Sequence, residues 1–223
     1  MLSPLSDKPA TPKPTKSKKV RQSNPERSAR TREKLLNATI DCLYRLGYHQ
    51  TSTVTVTKVA GVSRGAMLHQ FPSKADLMMA TSEHISRLRG EAHRLGREGV
   101  TDDRERFALL IDILWKELKS PSGVARIEIM LASRSDPEFG ARFVTLNEDL
   151  EHRHKEAVWS LADRLGFKNR KLSDAMVQLY AAALRGLAID YLQPSSRPDI
   201  EAAVELLKSY QMDLLDRTAG KVV

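Results

Sequence analysis

Residues 52–74, STVTVTKVAGVSRGAMLHQFPSK, decide the fold. Two short helical patterns meet there at Gly61 and Val62, and the second opens with Ser63, Arg64 and Gly65. A short glycine-containing turn between two short helices marks a helix-turn-helix unit. In such a unit the second helix enters the DNA major groove with its N-terminal residues leading. Ser52 or Thr53 suits the cap of the first helix, with its backbone N–H groups and hydroxyls available to a phosphate. Val56, Val59 and Val62 are expected to pack inward. Ser63 suits the cap of the second helix, where Arg64 can pair with guanine or reach a phosphate, and Gly65 and Ala66 permit close approach. Leu68 and His69 continue the same DNA-facing surface. Lys74, beside a cap at Ser73, is placed to anchor a further phosphate. The segment 51–57, TSTVTVT, has the propensity of a strand. Its hydroxyls nevertheless suit a cap, and Val56 to Ala60 lead directly into the glycine turn, so it is read as helix entry.

Outward from this unit the pattern is helical throughout. Leu36, Ile40, Leu43 and Leu46 recur at spacings of three and four, and Gly47 supplies a stop. A fourth helix is expected from Ser73 to about Arg97. Phe107, Leu110, Ile111, Leu114 and Leu118 form the next stripe, ended by Ser120, Pro121, Ser122 and Gly123. Ile127, Met130 and Leu131 belong to a shorter helix. Asp136 and Pro137 suit the cap and first position of a long one. Its stripe runs Phe139, Phe143, Leu146, Leu150, His154, Ala157, Leu161 and Leu165, and Gly166 closes it. Two more helices follow, with stripes Val177, Tyr180, Leu184, Leu187, Ala188, Tyr191 and, after QPSSRPD, Ile200, Ala203, Val204, Leu207, Gln211, Leu214, Leu215. The fold class is all-α. Three regions are expected: a disordered basic tail over 1–24, rich in Pro, Lys, Ser and Thr, a helix-turn-helix domain over 25–74, and a larger helical domain over 75–223.

Charge agrees with this division. The 223 residues carry a formal net charge of +8, distributed as +6 over residues 1–30, +3 over 31–80 and −1 over 81–223. The cationic excess thus lies with the DNA reader, which marks a polyanion-facing end. Cys42 is the single cysteine, so neither an intramolecular disulfide nor a thiol cluster for zinc is available. A small buried apolar role fits it, with a redox sensor as the alternative. No apolar run approaches the ~18 residues of a membrane span, and the N-terminus lacks the apolar core of a secretory signal. A soluble cytoplasmic protein is expected.

The residues of the recognition unit resemble the TetR/AcrR family of transcriptional regulators. The family's pattern reads roughly as a hydroxyl pair, an aliphatic residue, Ala, then A-G-V-S-x-G-x-L-Y-x-H-F-x-S-K. Thr51 and Ser52, Val56, Ala60, Gly61, Val62, Ser63, Gly65, Met67, Phe71, Ser73 and Lys74 match it in one register, and Leu46, Gly47 and Tyr48 before it fit as well. The match spans about 50 of the 223 residues. Three positions depart: Thr57 stands where Ala is usual, Leu68 replaces Tyr, and Gln70 replaces His. The loss of the phenol removes a phosphate contact that the resemblance would assign, and His69 or the basic tail are candidates to replace it. The resemblance implies a homodimer paired through its last two helices in a four-helix bundle. Packing within one chain explains the same stripes. The resemblance also implies an effector-binding and dimerisation domain over 75–223 with a pocket among the middle helices, and two readers on a two-fold axis should meet a near-palindromic DNA operator. Trp115, Met130, Phe143, His154 and Tyr180 are the candidate lining, against the plainer reading of each as core. An apolar or amphiphilic small molecule is the expected effector.

The leading reading is therefore a repressor released by a small-molecule effector. The alternative is an architectural or activating DNA-binding factor without one. A helical enzyme finds no Gly-rich phosphate loop, no metal-ligand spacing and no nucleophile motif to support it. His152 and His154 lie on different faces of a helix, and Glu148 with His152 supplies only two ligands, so neither a metal nor a cofactor is implied.

Overall fold

The computed structural model describes residues 24–193 and 197–219. Among the described residues there are nine helices and no strand. They are α1 (Asn24–Gln50), α2 (Thr53–Ala60), α3 (Arg64–Gln70), α4 (Lys74–Leu95), α5 (Asp103–Leu118), α6 (Pro121–Ala132), α7 (Pro137–Arg164), α8 (Arg170–Asp190) and α9 (Arg197–Ala219). The all-α expectation holds. Helix α1 begins at Asn24, and the basic tail before it lies outside the described residues.

Capping explains most of the boundaries. Ser52, Ser63, Ser73, Asp102, Ser120, Asp136 and Asn169 each accept a hydrogen bond from the backbone N–H three residues on. Such a bond satisfies one of the orphan donors of a first turn. The choice between Ser52 and Thr53 thus falls to Ser52, and residues 53–57 are helical. Ser120 to Gly123 do more than stop α5, because Ser120 caps α6 and Pro121 opens it. A β-carbon at Gly123 would sit 2.6 Å from the Leu118 Cα, so only glycine lets α6 start this close to the end of α5.

Two apolar clusters hold the helices together. The first joins Leu35, Leu36, Leu43, Val56, Met67, Phe71, Leu77 and Met78 to Ala125 and Ile129 of α6 and to Phe139 and Phe143 of α7. The core of the helix-turn-helix region therefore continues into the rest of the chain without a break at residue 74. The second cluster gathers α5, the end of α7, α8 and α9 around Phe107, Trp115, Phe167 and Leu184. Gln211 of α9 donates its amide to the Phe107 carbonyl at 2.6 Å, which fastens α9 to the start of α5.

Several expected inward residues turn outward. Leu46, in the last turn before the Gly47 break, is exposed, and Leu35 and Cys42 complete the α1 stripe instead. Val59 is 51% exposed, because α2 presents Val56, Thr57 and Ala60 to the core rather than Val56 and Val59. Cys42 is buried, and burial pushes its thiol pKa up.

The α8 and α9 stripes are also placed differently from the dimer expectation. Tyr180, Leu184, Ala188, Ile200, Val204 and Leu215 belong to the second cluster, so packing within the chain accounts for them. The exposed face of α8 carries Leu179, Ala182, Gly186 and Ile189, and that of α9 carries Leu206 and Tyr210.

Candidate nucleic-acid interface and ligand cavity

The turn between α2 and α3 is set by Gly61 at φ 63°, ψ 38°, the left-handed conformation that glycine adopts without steric cost. Val62 N–H then reaches back to the Thr57 carbonyl at 3.1 Å, closing the helix end. Thr57, where the family pattern has Ala, is buried and places its hydroxyl on the Val54 carbonyl at 2.8 Å. The extra polar atom is thereby satisfied.

Helix α3 is pinned from behind. Met67 and Phe71 are buried, Arg32 of α1 lies over the Phe71 ring at 4.6 Å, and Gln70 donates to Ser28 Oγ at 2.7 Å. Gln70, the departure from the family's His, thus serves as a strut between α3 and α1. With that face fixed, Ser63, Arg64, Gly65, Leu68 and His69 are exposed, and Ser52 is exposed at the start of α2. Thr53 and Ala66 are half-buried beside them. Nothing lies within 4 Å of a β-carbon built on Gly65, so this glycine leaves open surface at the first turn.

Lys74 has a different immediate task from the expected phosphate anchor. Its ammonium donates to the Tyr48 carbonyl at 3.0 Å and sits 3.9 Å from the centre of the Tyr48 ring. Burial lowers its pKa, partly offset by Asp136. The side chain closes the end of α1 from within, adding a second donor to a carbonyl that also accepts from the Thr51 N–H at 3.2 Å.

A cavity of about 410 Å³ lies between α4, α5, α6 and α7. Its volume falls in the ~300–1,000 Å³ range of small-molecule sites. Of the five candidate residues, Phe143 and His154 line it. Trp115 instead donates its indole N–H to Glu201 Oε2 at 3.0 Å and stacks edge-on against Tyr191. Tyr180 packs in the second cluster, and Met130 packs against the first with its sulfur 3.6 Å from the Arg185 guanidinium. Their helical stripes face neighbouring helices rather than the opening.

The charged part of the wall went unread in the sequence. Arg89 and His93 of α4 and Arg97 in the turn after it line the cavity together with Arg126 of α6. The available signal was the continuation of the buried stripe Met78, Ser82, Ile85 into Arg89 and His93, which extends an apolar helix face with basic residues. Burial, with Arg89 and Arg97 nearby, pushes the His93 pKa down to about 4. Burial, Arg89 and His93 push that of His154 down to about 3. Both rings are therefore neutral near pH 7. His93 Nε2 is buried and has no hydrogen-bond partner. Among the described residues no group of three or more His, Cys, Asp or Glu side chains is placed to hold a metal ion, and no helix is long and apolar enough to cross a membrane.

Comparison with known proteins follows these features. Residues 35–81 match the family described as bacterial regulatory proteins, tetR family. An HTH-type transcriptional regulator of Mycobacterium bovis is 31% identical over 111 residues, which cover 50% of this chain and 57% of that protein. The regulator BetI of Pseudomonas fluorescens is 33% identical over 82 residues, 37% of this chain and 42% of its own length. The chain thus spans about half the length of these relatives. Among solved structures, a transcriptional regulator from Rhodococcus sp. Rha1 aligns with a TM-score of 0.67 at 18% identity, over 83% of this chain and 96% of that one. A transcriptional regulator from Saccharomonospora viridis, solved in complex with choline, aligns with a TM-score of 0.60 at 16% identity, over 84% and 96%. At those identities the structural matches establish the shared all-helical fold, and residues 35–81 carry the segment that the tetR family model describes.

Proposed function

We propose that the protein is a sequence-specific DNA-binding transcriptional regulator of the cytoplasm, a homodimeric repressor released by a small-molecule effector. The observation that carries this reading is the exposed start of α3, with Ser63, Arg64 and Gly65 open to solvent on a helix whose opposite face is pinned by Met67, Gln70 and Phe71. A rigid helix with an open, cationic leading end has the form that a major-groove reader requires. Ser52 and Thr53 at the start of α2 suit the adjoining phosphates, and the basic tail suits the backbone or a neighbouring minor groove.

The exposed strip of Leu179, Ala182, Gly186 and Ile189 on α8, with Leu206 and Tyr210 on α9, supports pairing through a two-fold axis. Small residues at 182 and 186 leave room for a second helix. Two readers related in this way meet a near-palindrome with half-sites ~34–36 Å apart or a multiple of that spacing.

Helix α4 supports the effector role. Its first half, with Leu77, Met78 and Ile85, belongs to the core of the reading head, and its second half, with Arg89, Gly90 and His93, lines the cavity. A ligand that shifts the second half moves the first. To convert nearly all of the population from one head spacing to another, it must favour the second state by ~10⁴-fold, about 5.5 kcal/mol. The cavity favours this reading over a factor without an effector. Choline, bound by the Saccharomonospora viridis protein, has a fixed positive charge that the arginine-bearing wall here would repel.

Selection of bound duplex from genomic DNA with the purified full chain tests the proposal. A recovered inverted repeat with strong salt dependence is the expected result. Equal recovery of random duplex would overturn it.

A further inference from the structure

The cavity wall combines two chemistries. Ile85, Leu110, Phe143, Leu150 and Val158 supply apolar surface, while Arg87, Arg89, Arg97, Arg126 and Arg153 supply guanidinium groups. No aspartate or glutamate is among the residues that line it. The nearest compensating carboxylates lie behind the wall and are poorly engaged with it. Glu117 Oε2 is 3.8 Å from Arg89 Nε, beyond hydrogen-bond distance, and both Glu117 oxygens lack a hydrogen-bond partner among the described residues. Glu151 accepts from Asn147 Nδ2 at 2.9 Å. Among the described residues, the one hydrogen bond of the Arg126 guanidinium goes to the Asn147 amide oxygen, at 3.4 Å, and that of Arg89 to His154 Nε2, at 3.5 Å.

A guanidinium has five N–H donors, so most of the donor capacity of Arg89 and Arg126 is unused. Burying a cation without a hydrogen-bonded anion is costly. Here burial lowers the Arg89 pKa to about 10, with Glu117 offsetting only part of the effect. His93 and His154 are neutral and cannot neutralise the arginines; they add a buried ring nitrogen, His93 Nε2, that lacks a partner. The missing component is an anion, and the apolar remainder of the wall specifies what is attached to it.

We propose that this cavity binds an amphiphilic oxyanion, an apolar chain or ring ending in a carboxylate or sulfonate, with Arg126 and Arg89 holding the head group and Phe143, Leu150 and Val158 covering the apolar part. This assignment rests on reading the cavity as the effector site and names its chemistry. A charge-assisted, bidentate contact of guanidinium with carboxylate is the strongest pairing these residues can make.

The test is calorimetric titration of the full chain, without DNA, using octanoate, octanesulfonate, octan-1-ol and octyltrimethylammonium. Either anion is expected to bind about ten-fold or more tightly than the alcohol and the cation, the ratio one charge-assisted hydrogen bond supports. The tighter of the two anions identifies the head group. Arg126→Gln is expected to lose about ten-fold in anion affinity, and Arg126→Lys, which keeps the charge, to recover part of it. Arg153→Gln alters an exposed arginine at the wall and is expected to weaken anion binding while the circular dichroism stays unchanged. Equal binding of octan-1-ol, preference for the ammonium, no binding of either anion, or wild-type anion affinity in both glutamine variants would overturn the assignment. Because the readout contains no DNA, failure to bind an operator would register in a separate mobility-shift assay and leave this result standing.

Discussion

Glu128, in the middle of α6, accepts a hydrogen bond from the backbone N–H of Tyr48 at 2.8 Å. Gly47, immediately before it, adopts φ 74°, ψ 173°, which breaks α1. A carboxylate from the large helical region thus satisfies the donor exposed by the break, while Lys74 satisfies the Tyr48 carbonyl at 3.0 Å. The Tyr48 ring also stacks near Phe139 of α7, with centroids 6.4 Å apart. The end of α1 is therefore where the reading head is joined to α6 and α7.

Glu128→Ala removes a part-buried hydrogen bond to a charged group, for which a loss of about 1–2 kcal/mol is expected. At this chain length each kcal/mol corresponds to roughly 2–4 °C in melting temperature. Gly47→Ala should cost about 1–3 kcal/mol, because its backbone conformation is nearly closed to other residues. The new β-carbon would also lie 3.4 Å from Glu128 Oε2. Thermal unfolding by circular dichroism measures both. If the alanine at position 47 melted like the parent, the strain argument would fail.

Arg64→Ala and removal of residues 1–24 should act differently on DNA binding. The first should change which bases are preferred, with a loss of about 1–3 kcal/mol at the contacted position if Arg64 pairs bidentately with a guanine. The second should weaken binding to all duplexes and reduce the dependence on salt, since fewer counterions are released. Mobility-shift titrations at several salt concentrations, with selected and scrambled duplexes, separate the two. Identical effects would contradict the division of labour.

Introducing charge on the exposed strip should dissociate the proposed dimer. Leu179, 64% exposed on α8, and Leu206 on α9 make no part of the chain's own core. The double change Leu179→Glu, Leu206→Glu should leave the melting of the monomer fold within about 0.5 kcal/mol per site and convert the sedimentation profile to a single monomer boundary. Operator affinity should fall to that of an isolated half-site. A dimer persisting in the double variant would place the interface elsewhere.

The two neutral histidines of the cavity predict an acid-side loss of stability. Their folded pKa values, about 4 for His93 and about 3 for His154, lie below the unfolded value of ~6.5. Between those limits the unfolded chain binds protons that the folded chain does not, so stability falls as pH falls from about 6.5. Above that pH neither ring contributes. Denaturant unfolding between pH 7 and pH 5 should show the decline, by up to roughly 1 kcal/mol per ring per pH unit. The double change His93→Gln, His154→Gln should remove most of it, leaving the part that belongs to His84, whose pKa burial also lowers. The range lies above that in which carboxylates held low by arginines, such as Asp76 beside Ser73 and Arg142, begin to protonate.

Local chemistry written in the chain accounts for much of this molecule. Ser63, Gly61 and the register around Val56 made the recognition unit readable, because caps and left-handed turns depend on residues three or four positions apart. Asp136 and Pro137 fixed the start of α7 for the same reason. Periodicity also gave the helix count and the all-α class. It could not say which neighbour a stripe faces. Tyr180 and Leu184 were equally consistent with a partner chain or with α5 and α9, and Trp115 with a cavity or with Glu201.

Pairings distant in sequence required the tertiary structure. Glu128 meets Tyr48 across 80 positions, and Trp115 meets Glu201 across 86. The arginines of α4, α6 and α7 become one cationic cavity only when three helices are packed side by side. Sequence determines what each helix has to bury and how it ends, since those interactions are made within a turn or two. Which buried charge is left without a hydrogen-bonded carboxylate is set by the packing of whole helices, and in this protein that packing decided the chemistry of the cavity.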